Sequence, residues 1–183
     1  MKNDKDTLRR KGQIIRQSID QRYRKEKQIV SNLLSLKINN EDVVAGYYPN
    51  KTEVNIMPYI EYLENKGISV CLPYIKNKKS HLLFRNWDRN TSLQNGMFNI
   101  LTPSSGIFCE PSILLIPLIF FDSEKNRLGY GGGFYDRTIS FLEKKKKILK
   151  IGVAFEEQKI DSIPSMRYDE KLDMIITQDG ITK

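Results

Sequence analysis

Arg127-Leu128-Gly129-Tyr130-Gly131-Gly132-Gly133-Phe134-Tyr135-Asp136-Arg137 sets four glycines within five positions and frames them with two arginines and an aspartate. Glycine has no Cβ, so successive backbone N–H groups can turn inward through φ values closed to other residues and converge on an anion. Downstream, Tyr135, Ile139 and Leu142 fall at i, i+4 and i+7. That is one face of a helix whose first turn adds unpaired N–H groups and a positive dipole end to the same anion site. Upstream, Ile113 to Phe121 is apolar throughout and reads as one buried strand. Strand, glycine loop and helix in that order describe a phosphate loop, although no Gly-Lys-Ser/Thr closes it and Phe134 stands where a third dinucleotide-type glycine would be. The plainer alternative is a glycine-rich connection. Arg127, Asp136 and Arg137 weigh against it, because a plain turn has no use for charges placed to meet phosphate and metal.

Working outward, 183 residues without an internal repeat or a Pro/Ser-rich linker suit a single domain over 1–183. Hydrophobic content of 39% and charged content of 28% are those of a globular protein, and the longest apolar run is too short, and interrupted by Pro117, to span a bilayer. The start, Met1-Lys2-Asn3-Asp4-Lys5-Asp6, has charges without an apolar core behind them, so no secretory signal is read and a cytoplasmic location is expected. Cys71 and Cys109 lack metal-ligand spacing and read as free thiols. The net charge of +8 admits nucleic acid, lipid or a polyanionic small substrate. Its distribution favours the last: the Lys144 to Lys147 run falls at a helix C-terminus, where cations are expected anyway, and no aromatic-interleaved RNA signature accompanies it. No nucleic-acid or membrane partner is expected.

The N-terminal segment from 4 to about 20 reads as a helix with Leu8, Ile15 and Ile19 on one face and Lys5, Arg9 and Arg16 on a charged side, followed by a second helix to about Leu36. Lys5 and Arg9 lie one turn apart and could grip one polyanion, or simply solubilise an exposed helix. Val43 to Tyr48 reads as a strand, Pro49 to Thr52 as the turn leaving it, and Ile56, Ile60 and Leu63 as the face of a helix ending at Gly67. Glu53 occupies that junction, where α/β sheets bind ligands, although a helix-capping role fits it equally. Ile68 to Leu72 reads as a strand stopped by Pro73, Leu82 to Phe84 as a third, 86–112 as a long loop, and Ile148 to Phe155 and Met174 to Thr177 as the last strands. The alternation argues an α/β sandwich whose mostly parallel sheet is covered on both faces. The sole histidine, His81, has no visible partner, and no Ser-His-Asp or Cys-His set is present.

Several segments in this order resemble the 5-formyltetrahydrofolate cyclo-ligase family. They are Lys5-x-x-Leu8-Arg9, Tyr48-Pro49 with Glu53, Leu72-Pro73, Phe120-Phe121-Asp122, Arg127 to Arg137, Gly152 to Gln158, and Pro164 with Asp169 and Leu172-Asp173. The resemblance implies a three-layer α/β/α sandwich and an enzyme that uses ATP and Mg2+ to close 5-formyltetrahydrofolate, with or without a polyglutamate tail, into 5,10-methenyltetrahydrofolate. A monomer is expected. Carried over by position, Lys5, Arg9, Arg127, Leu128, Gly129, Tyr130, Gly131, Gly132, Gly133, Phe134 and Tyr135 bind ATP, with Arg127 and Arg137 the catalytic cations. Tyr48, Glu53 and the run from Tyr130 to Phe134 meet the folate, while Asp136 and Asp169 hold magnesium. The chain departs from the family at Thr102-Pro103, where relatives often have Glu-Pro, at Tyr168-Asp169, where they often have His-Asp, and at Phe134, commonly a tyrosine. Two other classes stay open from the residues alone: a basic RNA- or nucleotide-binding module, suggested by net charge, and a sugar-phosphate isomerase-like enzyme of similar architecture, which would not need Lys5 paired with Arg9.

Overall fold

The computed structural model describes residues 2–182. Two helices, α1 (Lys2–Gln17) and α2 (Arg22–Leu34), precede β1 (Val43–Ala45), α3 (Met57–Asn65), β2 (Ser69–Tyr74) and β3 (Leu83–Asn86). A hairpin of β4 (Leu93–Asn95) and β5 (Leu101–Pro103) follows, then β6 (Phe108–Cys109), β7 (Ile113–Pro117), β8 (Phe120–Phe121) and β9 (Arg127–Leu128). The chain ends with α4 (Phe134–Glu143), β10 (Leu149–Val153), β11 (Met174–Thr177) and β12 (Gly180–Thr182).

Eight strands form one sheet in the order β12-β11-β10-β7-β1-β2-β3-β6. The inner run from β11 to β2 is parallel, and β12, β3 and β6 add antiparallel edges. Period-two alternation explains why both faces are apolar. Val44, Val70, Ile113, Leu115 and Ile176 point into the cluster shared with α2 and α3, while their neighbours Ala45, Cys71, Leu114, Ile116 and Ile175 point into the cluster shared with α4. Helices on both faces make the three layers. Ile29 and Leu33 of α2 and Ile60 of α3 are fully buried, so truncating any one of them to alanine should cost about 2–5 kcal/mol.

Three local expectations are corrected. Pro73 does not stop its strand, since β2 continues to Tyr74 and Pro73 pairs with Phe84. The β1 ladder ends at Cys71, so the missing N–H of Pro73 falls where that flank has no partner to lose. The apolar run Ile113 to Phe121 is not one strand: β7 ends at Pro117, and Ile119 N–H turns to Leu128 O at 2.8 Å, the start of the separate β8–β9 pair. Gln158 Nε2 donates to the carbonyls of Leu118 and Ile119 at 2.7 and 3.0 Å, which satisfies the backbone the break exposes. This kink brings Arg127 and Leu128 alongside the sheet. Finally, 86–112 is not a bare loop. It holds the β4–β5 hairpin, tied to the sheet where Thr102 Oγ1 donates to Pro73 O at 2.8 Å, and its tip turns through left-handed φ values at Phe98 (61°) and Asn99 (57°).

Candidate active site

In a parallel sheet all strands end on the same side, and here Tyr47 and Tyr48 after β1, Ile75 after β2 and Pro117 of β7 open onto a cleft of about 660 Å³. Lys5 and Arg9 of α1, the loop 129–133 with the start of α4, Phe98 and Ile100 of the hairpin, and Met166 and Asp169 complete its wall. Lys5, Arg9, Tyr48, Glu53, Arg127 to Asp136 and Asp169 are thus brought together from segments spread over the whole chain. Arg137 is not among them. Its guanidinium donates to the carbonyls of Ser80 (3.0 Å), Lys78 (3.3 Å) and Gly132 (3.0 Å), so it pins the glycine loop to the 78–80 segment instead of facing the cleft.

On one side of the cleft, cations and carboxylates alternate. Lys5 Nζ lies 2.6 Å from Asp169 Oδ2, and Lys5, a residue readable as a solubilising charge, is only 6% exposed. Arg127 lies 2.6 Å from Asp136 Oδ1 and also donates to the Glu170 carbonyl. Glu170 N–H donates to Asp136 Oδ1 at 3.2 Å, so the 169–170 backbone carries one carboxylate and contacts the other. Asp169 Oδ2 further accepts from Met166 N–H at 2.8 Å, which stabilises the 166–169 turn. Asp136 sits in the first turn of α4 but makes no cap: the N-cap is Gly133, without a side-chain bond to the helix. Arg9 donates to Gly129 O at 2.9 Å and to Asp6 Oδ1 at 2.5 Å.

The glycines are needed where these cations pass. Gly131 has φ +92°, and a Cβ there would lie 3.1 Å from the Arg9 guanidinium carbon; Gly133 has φ +64°, and a Cβ would lie 2.8 Å from an Arg137 nitrogen. An L side chain at either position would be strained and would displace an arginine.

On the other side, Tyr130 O–H donates to Glu53 Oε1 at 2.5 Å, and Asn50 N–H donates to Oε2 at 2.8 Å. Burial pushes the Glu53 carboxyl above the ordinary carboxylate range, while the Tyr130 and Asn50 hydrogen bonds and the charge of Arg16 oppose the rise. Tyr130 exposes 47% of its surface, yet its hydroxyl is turned inward, and desolvation followed by the Glu53 charge raises its pKa. Tyr47 and Tyr135 are raised for the same two leading reasons. These phenols are therefore neutral, and of them Tyr130 donates to the Glu53 carboxylate while Tyr47 donates to the Val54 carbonyl at 3.1 Å.

Sequence reasoning missed Phe98, Ile100, Tyr47 and Met166 as parts of this wall. Phe98 meets Phe134 edge-on at 6.0 Å between ring centroids, a contact no local pattern announces. His81 stays away from the cleft wall, stacked at 3.8 Å on Phe141.

The donor set suits magnesium and phosphate. Among the described residues no group of three or more His, Cys, Asp or Glu could enclose a metal. Two aspartates match in number the one or two carboxylates by which proteins hold magnesium, and the three cations beside them suit phosphate oxygens. No described helix is long and apolar enough to cross a membrane.

Residues 1–178 match the model of the 5-formyltetrahydrofolate cyclo-ligase family. The chain is 29% identical over 159 residues to the 5-formyltetrahydrofolate cyclo-ligase of Haemophilus influenzae, covering 83% of this chain and 84% of that protein. It is 28% identical over 178 residues to the enzyme of the same name from Mycoplasma genitalium, covering 94% and 97%. Among solved structures, the 5,10-methenyltetrahydrofolate synthetase of Aquifex aeolicus superposes with a TM-score of 0.81 at 27% identity, covering 98% of this chain and 92% of that one. The synthetase of Mycoplasma pneumoniae does so with a TM-score of 0.77 at 25% identity, covering 96% and 99%. With the match spanning nearly every residue from α1 to the end of β11, the chain belongs to the 5-formyltetrahydrofolate cyclo-ligase family.

Proposed function

We propose that this cleft closes 5-formyltetrahydrofolate into 5,10-methenyltetrahydrofolate at the expense of ATP, releasing ADP and phosphate. The observation that carries the reading is that one cleft joins two cation–carboxylate pairs and a glycine loop to the Glu53–Tyr130 pair. The first group suits a triphosphate; the second suits a ring rich in N–H donors.

A formamide oxygen is too poor a leaving group to be displaced directly. Transfer of the γ-phosphoryl group to that oxygen, with ADP departing, turns it into a phosphate leaving group. N10 of the same folate then attacks the formyl carbon and loses its proton, and the C–O bond breaks to leave the methenyl bridge and phosphate. Because the nucleophile belongs to the substrate, the protein needs no nucleophile–base pair, which accounts for a cleft wall without histidine or cysteine. Lys5, Arg9 and Arg127 would meet the phosphates and stabilise charge on the transferring group. Glu53 would accept from the pterin ring while Tyr130, Tyr48 and Phe98 bound its plane. Asp136 and Asp169 would hold magnesium, whose bound form neutralises phosphate charge and orients the transfer.

Purified protein mixed with 5-formyltetrahydrofolate, ATP and magnesium should develop the ultraviolet absorbance of the methenyl product. No ATP-dependent product at any reasonable enzyme concentration would rule the reading out.

A further inference from the structure

Arg16 does not line the cleft, yet it stands directly behind the Glu53–Tyr130 pair. It is only 3% exposed. Its Nε donates to Thr52 Oγ1 at 2.9 Å, one residue before Glu53, and an Nη donates to Leu118 O at 3.2 Å, in the kink between β7 and β8. Its guanidinium carbon lies 5.4 Å from the centre of the Tyr130 ring. One side chain of α1 thus touches the turn that carries Glu53, the end of the central strand and the glycine loop.

Among the described residues Arg16 forms no ion pair within 4.0 Å, so its buried charge is left to act over a longer range on Glu53. A buried arginine spent only on a packing job would be costly compared with an apolar side chain of the same volume. Here its positive charge opposes the rise that burial imposes on the Glu53 carboxyl, and its planar cation lies against the Tyr130 ring. The groups facing Glu53 are Tyr130 from the glycine loop, Tyr47 after β1, Tyr135 from α4 and Arg16 from α1, so Arg16 is the cation in this set. Arg22 adds to the same corner from α2, donating to the carbonyls of Thr52 (2.5 Å) and Glu53 (2.9 Å), but it holds backbone and not the carboxylate.

We propose that Arg16 is the positioning residue of the folate half of the site: it fixes the geometry and charge of the Glu53–Tyr130 pair and thereby sets recognition of the substrate ring, without taking part in nucleotide binding. This rests on the function proposed above. The prediction separates Arg16 from Lys5 and Arg9 on the same helical stripe, which face the phosphates.

The test compares Arg16→Met and Arg16→Lys with the wild type by steady-state kinetics in both substrates, by equilibrium binding of 5-formyltetrahydrofolate without ATP, and by thermal melting. Arg16→Met should raise the folate KM and Kd about tenfold or more, the scale of one charge-assisted contact, with the ATP KM within about twofold. Its folate KM should also rise more steeply with acidity than the wild type's, because Glu53 then takes up a proton more readily. Arg16→Lys keeps the charge and should recover part of the folate affinity even where Arg16→Met fails to fold. If Arg16→Lys and Arg16→Met both melted lower while the folate KM and Kd stayed at wild-type values, or if both substrates' KM values rose together, the positioning role would be wrong. Wild-type protein without turnover would overturn the underlying reading instead, and this inference with it.

Discussion

Lys5 and Asp169 meet at 2.6 Å across 164 residues of chain, so a cation suited to phosphate is paired with a carboxylate suited to magnesium. Arg127 and Asp136 repeat the arrangement at 2.6 Å. Each pair neutralises the other's charge at the cleft wall. Phosphate draws the cation of such a pair and a divalent metal draws its carboxylate, so nucleotide and metal together can exchange partners where either alone must leave a charge uncompensated.

Lys5→Met should therefore raise the ATP KM about tenfold or more, on the scale of one charge-assisted hydrogen bond, and leave the folate KM near wild type. Loss of about 1 kcal/mol of pairing with the partly exposed Asp169 would lower the melting temperature by only about 2–4 °C. Steady-state kinetics in each substrate, alongside a melting curve, checks this. An unchanged ATP KM would return Lys5 to a structural role.

Asp136→Asn keeps the shape of the side chain and its acceptor for Glu170 N–H, and α4 has no aspartate cap to lose. We expect most turnover lost with partial recovery as magnesium is raised, and a melting temperature lowered by a few degrees because Arg127, its side chain 5% exposed, loses its carboxylate partner. Titration of activity against magnesium distinguishes this from a helix-capping role, which would show as a stability loss indifferent to the metal.

Gly131→Ala and Gly129→Ala make a matched pair. The first adds a methyl 3.1 Å from the Arg9 guanidinium carbon at φ +92°; the second adds one where nothing lies within 4 Å. Gly131→Ala should cost about 1–3 kcal/mol of stability or displace Arg9 and raise the ATP KM, while Gly129→Ala should do far less. Equal effects would mean that Arg9 is not what the loop makes room for.

How legible was this site in the chain? The Lys5–Arg9 spacing, the glycine loop and Asp136 stand out because each is a local pattern, and the sheet's layers follow from apolar strands alternating with amphipathic helices. What escaped is non-local. The apolar run 113–121 carries a local mark at Pro117, where β7 ends, but no period shows the chain leaving the sheet there, and the amide that takes the freed carbonyls, Gln158, comes from elsewhere in the chain. The hairpin that delivers Phe98 is held by Thr102 on Pro73 O, a long-range bond absent from any window of sequence. Arg16 reads as surface charge. Only its position eleven residues, about three turns, after Lys5 on the same helical stripe could have hinted otherwise.

Glu53 supplies a pH dependence with a definite sign. Its folded pKa is raised, chiefly by burial, above an unfolded value of about 4.3. The folded state therefore binds its proton more tightly, the cost of the charge is absent below the unfolded pKa, and it is fully present above the folded pKa. Glu53→Gln, uncharged throughout, should melt relatively better as pH rises, so the difference in melting temperature, variant minus wild type, should become more positive between about pH 4 and pH 7. A difference that shrank over that range would place the folded pKa below the unfolded one.

The most direct test of the central claim follows the formyl oxygen. With 5-formyltetrahydrofolate carrying 18O in its formyl group, mass spectrometry of the phosphate released in a single turnover should find one 18O atom per phosphate, because that oxygen accepts the phosphoryl group and leaves with it. Methenyl product formed with unlabelled phosphate and the 18O in water would contradict phosphorylation of the substrate in this cleft.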